Sequence, residues 1–255
     1  MAHIPRVFLK LGDIGALPAR VKLPDFEQHY LVHVLRIKSR GKVTVVDKNL
    51  GRTYQAILLP GLSELEIYEA KETTSNFSPP ITIGSALLKG KKTEVVIEKA
   101  TELGAAAIIL WQSERSVKRF KPVEVQHKLT RYQKISESAS RQSRRNRIPE
   151  IVFACNVNEL IRCVNKPSTK AALKIICDTG KDAPLLCDLI KPAPAIVLVT
   201  GPEGDFSELE HKSLIESGFF PASLGPNILR AETAAISAVA TATMLSLKVG
   251  RDSAD

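Results

Sequence analysis

Groups able to hold a small ligand crowd into one stretch, Ile196 to Ala240. An apolar run, Ile196-Val197-Leu198-Val199-Thr200, breaks into Gly201-Pro202-Glu203-Gly204-Asp205, and Ser207 with Glu210 has the spacing of a capping box. A second Gly/Pro turn, Leu224-Gly225-Pro226-Asn227-Ile228-Leu229-Arg230, leads straight into an Ala-rich helix expected over Ala231 to Leu247. Each strand-to-helix turn leaves unpaired amides at a helix start, so two of them can present many N–H and C=O groups to one ligand. The pair reads as a cofactor site, although a glycine loop of this shape also arises for packing alone. Arg230 beside Glu232 favours the functional reading, since a buried guanidinium at a helix start is unfavourable without a task, and Arg230 is expected to be buried.

A second kind of chemistry is written in the cations. Arg141-Gln142-Ser143-Arg144-Arg145-Asn146-Arg147 is the densest basic cluster, and guanidinium groups pair bidentately with phosphate. The alternative is a solvated helix end whose cations complement the macrodipole. Arg115, Lys118, Arg119 and Lys121 form another basic run. Both runs are expected to follow strand ends and to share one sheet edge, which tilts the balance towards RNA or DNA. The net charge of +9 and pI near 9.4 agree with a polyanionic partner.

Other motifs are weaker. Gly84-Ser85-Ala86-Leu87-Leu88-Lys89-Gly90-Lys91-Lys92-Thr93 has the composition of a phosphate loop in the wrong register, with two leucines inside the cradle, and reads as a strand end and a basic helix start. His29 and His33 lie one helical turn apart without a third ligand, so no metal is expected. No G-x-S-x-G elbow, S-x-x-K or G-x-G-x-x-G pattern is present. The cysteines Cys155, Cys163, Cys177 and Cys187 lie singly and read as reduced, mostly buried thiols of a cytosolic protein. No apolar run reaches the roughly 18 residues of a membrane span, and Pro5, Arg6 and Lys10 interrupt any signal-peptide core.

These groups need a frame. Residues 1–74 read as a small β domain: a strand at Val7 to Leu9, a helix from Asp25 to Leu35 boxed by Asp25 and Gln28, and strands around Val43 to Val46 and Thr53 to Leu59 joined by the turn Lys48-Asn49-Leu50-Gly51. A further strand is expected at Glu64 to Ala70. Ser75 to Pro80 reads as a linker, because its prolines stop both helix and ladder. Beyond it strands and helices alternate through residue 255, the pattern of an α/β layer fold with a mainly parallel sheet.

The runs Leu198 to Ser207 and Leu224 to Ala234 resemble the signature of the RsmE family, SPOUT-class methyltransferases of uridine N3 in 16S ribosomal RNA. His29-Tyr30-Leu31-Val32-His33-Val34-Leu35-Arg36, Glu98 to Gly104 and Glu114-Arg115-Ser116 resemble its other motifs, so the likeness spans nearly the whole chain. The resemblance implies a PUA-like β-barrel domain over 1–74 and a SPOUT domain, an α/β trefoil knot, over 75–255. It also implies S-adenosylmethionine as methyl donor, 16S rRNA within the small ribosomal subunit as partner, a homodimer and a cytoplasmic location. Carried over residue by residue, it places the donor against Ile176, Thr200, Gly201, Gly204, Leu224, Gly225, Ile228 and Leu229. Contact with RNA is expected from Arg6, His29, Arg36, Arg115, Arg141, Arg144 and Arg147, and catalysis from Arg230, with Glu203 orienting the base or accepting its proton. Asp205 stands where a second Gly is common, Asn227 where Arg is frequent, and Arg141 with Arg144 where Glu and Gly are frequent; the added arginines are expected to strengthen phosphate contact. A SPOUT enzyme of transfer RNA and a non-catalytic ribosome-assembly factor are the other readings.

Overall fold

The computed structural model describes residues 4–12, 14–71, 79–165, 171–178, 180 and 183–252. The chain forms two compact units, Met1–Ser75 with Ser140–Ile148, and Asn76–Ala139 with Pro149–Asp255. The expected cut at 74/75 and most of the expected linker lie outside the described residues. The basic segment 140–148 joins the first unit from far along the chain.

The first unit holds strands β1 (Arg6–Leu9), β2 (Ala19–Lys22), β3 (Lys42–Asp47), β4 (Thr53–Leu58) and β5 (Glu64–Lys71), in the sheet order β1-β3-β4-β5-β2. β1 runs parallel to β3 and the other pairs are antiparallel. Val7, Val43, Val45, Ala56, Leu58, Leu65 and Ile67 are fully buried and form its core with Leu31. The strand β2 escapes a reading by pattern because Ala-Arg-Val-Lys carries little apolar signal and pairs only at the sheet edge.

Helix α1 is short, Asp25–His29, and continues as one π-helical turn, Tyr30–Val34. Its N-cap is Pro24, with no side-chain cap, so the expected box of Asp25 and Gln28 does not form. Asp25 lies inside the first turn instead, where its charge suits the helix dipole.

Arg141 corrects the sequence reading most directly. It is 8% exposed, its guanidinium donates to the buried Glu27 carboxylate at 2.5 Å, and it lies 5.0 Å from the Tyr30 ring centroid and 5.4 Å from that of Phe26. A guanidinium so enclosed holds the first unit together and is not a phosphate contact. Burying an ion pair is favourable only when its geometry and added contacts offset desolvation, and removing one partner leaves the other charge stranded.

The second unit is a six-stranded parallel sheet of β6 (Ile81–Ala86), β7 (Ala107–Trp111), β8 (Glu150–Ala154), β9 (Leu173–Cys177), β10 (Ile196–Thr200) and β11 (Phe220–Ala222), in the order β11-β9-β10-β6-β7-β8. Its helices are α2 (Lys92–Glu102), α3 (Pro122–Gln142), α4 (Val157–Val164), α5 (Leu186–Leu189), α6 (Glu208–Glu216) and α7 (Ala231–Asp252). Every residue of β10 is buried, the signature of a strand covered on both faces. Ile196 and Leu198 enter the cluster that α2, α3, α5 and α7 cover, while Val197 and Val199 enter the one lined by α4 and α6. Strand β11 is three residues long with a proline at its centre, so nothing in its pattern distinguishes it from a loop.

Arg141→Ala is expected to lower the unfolding free energy by about 3 kcal/mol, and Glu27→Leu with Arg141→Met to restore much of it. Urea titrations followed by circular dichroism check this; equal losses in the single and double variants would refute the buried-pair account.

Candidate active site

The parallel register brings the two glycine-marked turns together. Thr200 pairs with Cys177 across β10 and β9, and Ala222 pairs with Cys177 across β11 and β9. The turns that leave Thr200 and Ala222 therefore rise from one carboxyl edge, on either side of the end of β9. Crevices at the carboxyl ends of parallel strands are where ligands bind in open α/β sheets. The segments after β6 and β7, which carry Lys89, Lys92, Arg115, Lys118 and Arg119, emerge at the same edge.

The first turn is held from below. Trp111, fully buried at the end of β7, donates its Nε1 hydrogen to the Thr200 carbonyl at 3.3 Å and stacks on Phe206 with ring centroids 5.9 Å apart. A Cβ at Gly201 would stand 3.3 Å from the Phe206 ring and amide, and one at Gly204 would stand 3.4 Å from Arg115 Cβ. Packing against Phe206 thus accounts for Gly201, whereas a Cβ at Gly204 would make only ordinary contact. Asp205 has φ of 62°, a left-handed conformation that Gly adopts at lower cost, and its Oδ1 accepts the Phe206 amide at 2.9 Å. The loop keeps its shape despite the side chain.

Glu210 is the site residue whose reach the sequence did not show. The capping box with Ser207 forms as expected. The Glu210 carboxylate, 1% exposed, also accepts the Ser113 hydroxyl at 2.9 Å and the Glu114 amide at 2.7 Å. One acid therefore fixes both the start of α6 and the loop bearing Arg115, whose Nη1 donates to the Gly204 carbonyl at 3.2 Å.

The second turn is open. Gly225 has φ of 124°, a conformation that favours glycine, and Ile228 is 89% exposed. The amides of Asn227, Ile228 and Leu229 meet no acceptor among the described residues. Leu224 and Leu229 are half-buried beside them. Arg230 is exposed, against the expectation of burial, because the turn runs over the surface before α7 begins; its side chain makes no ion pair or hydrogen bond among the described residues. Ile176 is fully buried among Trp111, Val199 and Phe206, so its side chain supports the floor and does not face a ligand.

Glu203 belongs to the first turn. Burial works to raise its pKa, but the Lys89 amide at 3.0 Å, with Lys92 and Lys89 nearby, outweighs that and holds the carboxyl below its usual range. Glu203 is therefore an ionised acceptor and a weak base. Lys92 also pairs with Glu232 at 3.2 Å. The apparent phosphate loop proves to be structural: Leu87 and Leu88 are fully buried, and the Thr93 hydroxyl bonds the Leu88 amide at 3.0 Å. Among the four cysteines only Cys177 is buried, which pushes its thiol up to about 12; Cys155 and Cys187 are exposed, contrary to expectation.

In the first unit, Arg6 donates to the carbonyls of Arg144 and Arg145 and to Asn146 Oδ1. It clamps the basic turn, while Arg144, with φ of 58°, and Arg147 remain exposed. This cluster follows α3 and does not follow a strand end as expected. His29 and Arg36 are exposed, and the His29 and His33 rings lie 5.0 Å apart. Among the described residues no three His, Cys, Asp or Glu side chains gather as a metal set, and no helix is long and apolar enough to cross a membrane.

A donor with an adenosyl group and an amino-acid tail needs hydrogen-bonding groups beside an apolar wall. Thr200 Oγ1 is buried with no hydrogen-bond partner among the described residues, and the open amides of 227–229 lie along a wall of Leu224 and Leu229. These residues fit such a ligand.

Residues 75–243 match a family described as an RNA methyltransferase domain. A ribosomal RNA small subunit methyltransferase E from Synechocystis is 35% identical over 229 residues, covering 88% of this chain and 73% of its own. The structure of a ribosomal RNA small subunit methyltransferase E from Neisseria gonorrhoeae bound to S-adenosyl methionine matches with a TM-score of 0.82 and 31% identity, over 93% of this chain and 96% of that one. A putative methyltransferase from Legionella pneumophila, in complex with the same cofactor, matches with a TM-score of 0.84 and 26% identity, over 95% of this chain and 98% of that one.

Glu210→Ala removes the acceptor of Ser113, Glu114 and Ser207 together, and is expected to lower stability by about 2–3 kcal/mol. Hydrogen exchange should rise in residues 113–116; protection there equal to wild type would show that the loop is held by something else.

Proposed function

Since the chain belongs to the RNA methyltransferase family, in the ribosomal RNA small subunit methyltransferase E group, we propose that it methylates N3 of a uridine in 16S ribosomal RNA, with Arg230 as the catalytic cation. Its methyl donor is S-adenosylmethionine. Its two units are a PUA-like β-barrel domain and a knotted SPOUT α/β domain.

The observation that carries the reading is the meeting of two turns at one carboxyl edge, one ending in an uncommitted guanidinium. Thr200, Gly201, Gly204, Leu224, Gly225, Ile228 and Leu229 surround the donor, with Ile176 supporting the floor. The donor supplies an electrophilic methyl group on a sulfonium. Holding that carbon in line with N3 contributes much of the acceleration, through orientation and exclusion of water. As the N3 proton passes to solvent, negative charge spreads over the flanking uracil carbonyl oxygens. Arg230 stabilises it as an oxyanion-type donor. Glu203, ionised and anchored on the Lys89 amide, orients the base.

In the first unit Arg144, Arg147, Arg36 and His29 meet RNA, and Arg6 shapes the turn that presents two of them. In the second unit Arg115 does so. The reading includes a homodimer, with the small ribosomal subunit as the working substrate and the cytoplasm as its place.

Undermethylated 30S subunits incubated with labelled donor should gain one methyl group, mapped to uridine N3. Arg230→Ala is expected to slow the single-turnover step about a hundredfold or more while donor affinity changes by less than about threefold; equal losses in both would sink the assignment. Because the Glu203 pKa is lowered, its carboxylate is already ionised well below neutrality. Glu203→Gln should therefore leave the slope of the rate against pH unchanged between about pH 6 and 8, though the rate itself drops. Loss of that slope would show that Glu203 titrates in this range and overturn the lowered pKa.

A further inference from the structure

One side of α1 carries rings that the core of the first unit does not use. Phe26 is 61% exposed; His29, one turn on, and His33 in the π-helical turn are exposed too, with their rings 5.0 Å apart and tilted by 33°. A single exposed apolar side chain is ordinary, but a row of exposed rings is a surface with a use. The Phe26 ring is fixed from behind. The Arg141 guanidinium lies over it at 5.4 Å from the centroid, over Tyr30 at 5.0 Å and over Phe8 at 6.0 Å, and is itself buried against Glu27. One face of the Phe26 ring therefore meets the cation and the other stands open. Cations continue this surface. Phe8 and Arg6 project from the same side of β1; Phe8 lies under Arg141, while Arg6 holds the carbonyls of Arg144 and Arg145. The Arg144 amide donates to the Arg141 carbonyl at 3.3 Å, so the exposed Arg144 and Arg147 belong to the turn just beyond the aromatic patch.

We infer that Phe26, with His29 and His33, is a platform on which an unpaired base of the RNA stacks, while Arg144 and Arg147 take the neighbouring phosphates. The inference rests on the reading of RNA as the substrate. Open ring faces beside guanidinium groups suit an unpaired nucleotide, whose base needs a flat apolar partner and whose phosphate needs a cation. A base inside a duplex has both faces covered by its neighbours and cannot use the ring. An apolar protein segment would leave the flanking cations without acceptors. Because Arg141 holds the Phe26 ring in place before RNA arrives, stacking on it requires little further ordering. Every base has a face to stack, so the platform selects unpaired RNA over paired RNA and is indifferent to sequence.

The test is a set of fluorescence-anisotropy titrations of the full chain with a short labelled single-stranded RNA and with the blunt duplex of the same sequence, at several salt concentrations, each variant being checked by thermal unfolding. Phe26→Leu is expected to weaken the single strand about tenfold and the duplex by less than about twofold, with the slope of log affinity against log salt unchanged, because stacking releases no counterions. Phe26→Trp keeps a stacking face and should bind the single strand at least as well as wild type. Arg144→Gln should instead flatten the salt slope by about 0.7, the value of one phosphate contact on a single strand. His33→Ala, at an exposed position outside the core, should weaken the single strand about threefold and keeps the test decisive if Phe26→Leu loosens Arg141 and lowers stability. Losses for Phe26→Leu and His33→Ala that are equal on single strand and duplex, or no loss on either, overturn the inference. Unchanged RNA affinity with an altered sedimentation coefficient also overturns it and gives the patch to a protein contact. If the wild-type protein binds neither RNA, the reading of RNA as substrate falls and the inference with it; if it binds the single strand and both ring variants bind as tightly, only the inference falls.

Discussion

The register of β10 between β9 and β6 is the constraint on which the second unit depends. A strand buried on both faces cannot slip by one residue without exchanging Ile196 and Leu198 for Val197 and Val199 in opposed apolar clusters. That places Thr200 level with Cys177 and Ser85, and all the following turns at one edge. A parallel sheet of this kind concentrates its loop chemistry at the carboxyl ends, so the ligand-facing groups need no long-range folding of their own. They need only be held once they arrive.

What holds them is a small number of fully engaged polar groups. Glu210 accepts from Ser207, Ser113 and Glu114 at once, and the Trp111 indole reaches the Thr200 carbonyl. Such groups are strong when every lone pair is used and harmful when one is not. By contrast the second turn is left with free amides and an exposed Ile228, the condition of a surface completed by a ligand. Rigidity on one side and open donors on the other divide the labour between the turns.

Local signals in the sequence carried most of the fold. The apolar run of β10 and the box of Ser207 and Glu210 each depend on residues within four positions of one another. The misreadings share the opposite property. Arg141 meets Glu27, Phe26 and Tyr30 from more than a hundred positions away, so a cluster of arginines could not reveal which one is enclosed. The adjacency of Glu232 suggests a buried Arg230, yet burial depends on the path of the turn, not on its neighbours in sequence. Asp205 and Arg144 show a subtler case: both have φ near 60°, a conformation that glycine adopts more easily. Each side chain there costs about 1 kcal/mol.

Charge at the carboxyl edge follows a consistent rule. Three of its acids are engaged: Glu203 by the Lys89 amide and Lys92, Glu232 by an ion pair with Lys92, and Glu210 by hydroxyl and amide donors. Its cations are not all so occupied, since Arg115 is exposed with only one Nη on the Gly204 carbonyl and Arg230 is uncommitted. The edge therefore presents a positive field that attracts a polyanion through long-range steering, while the acids act inward as anchors. An arrangement that left all of these acids free would neutralise much of that field.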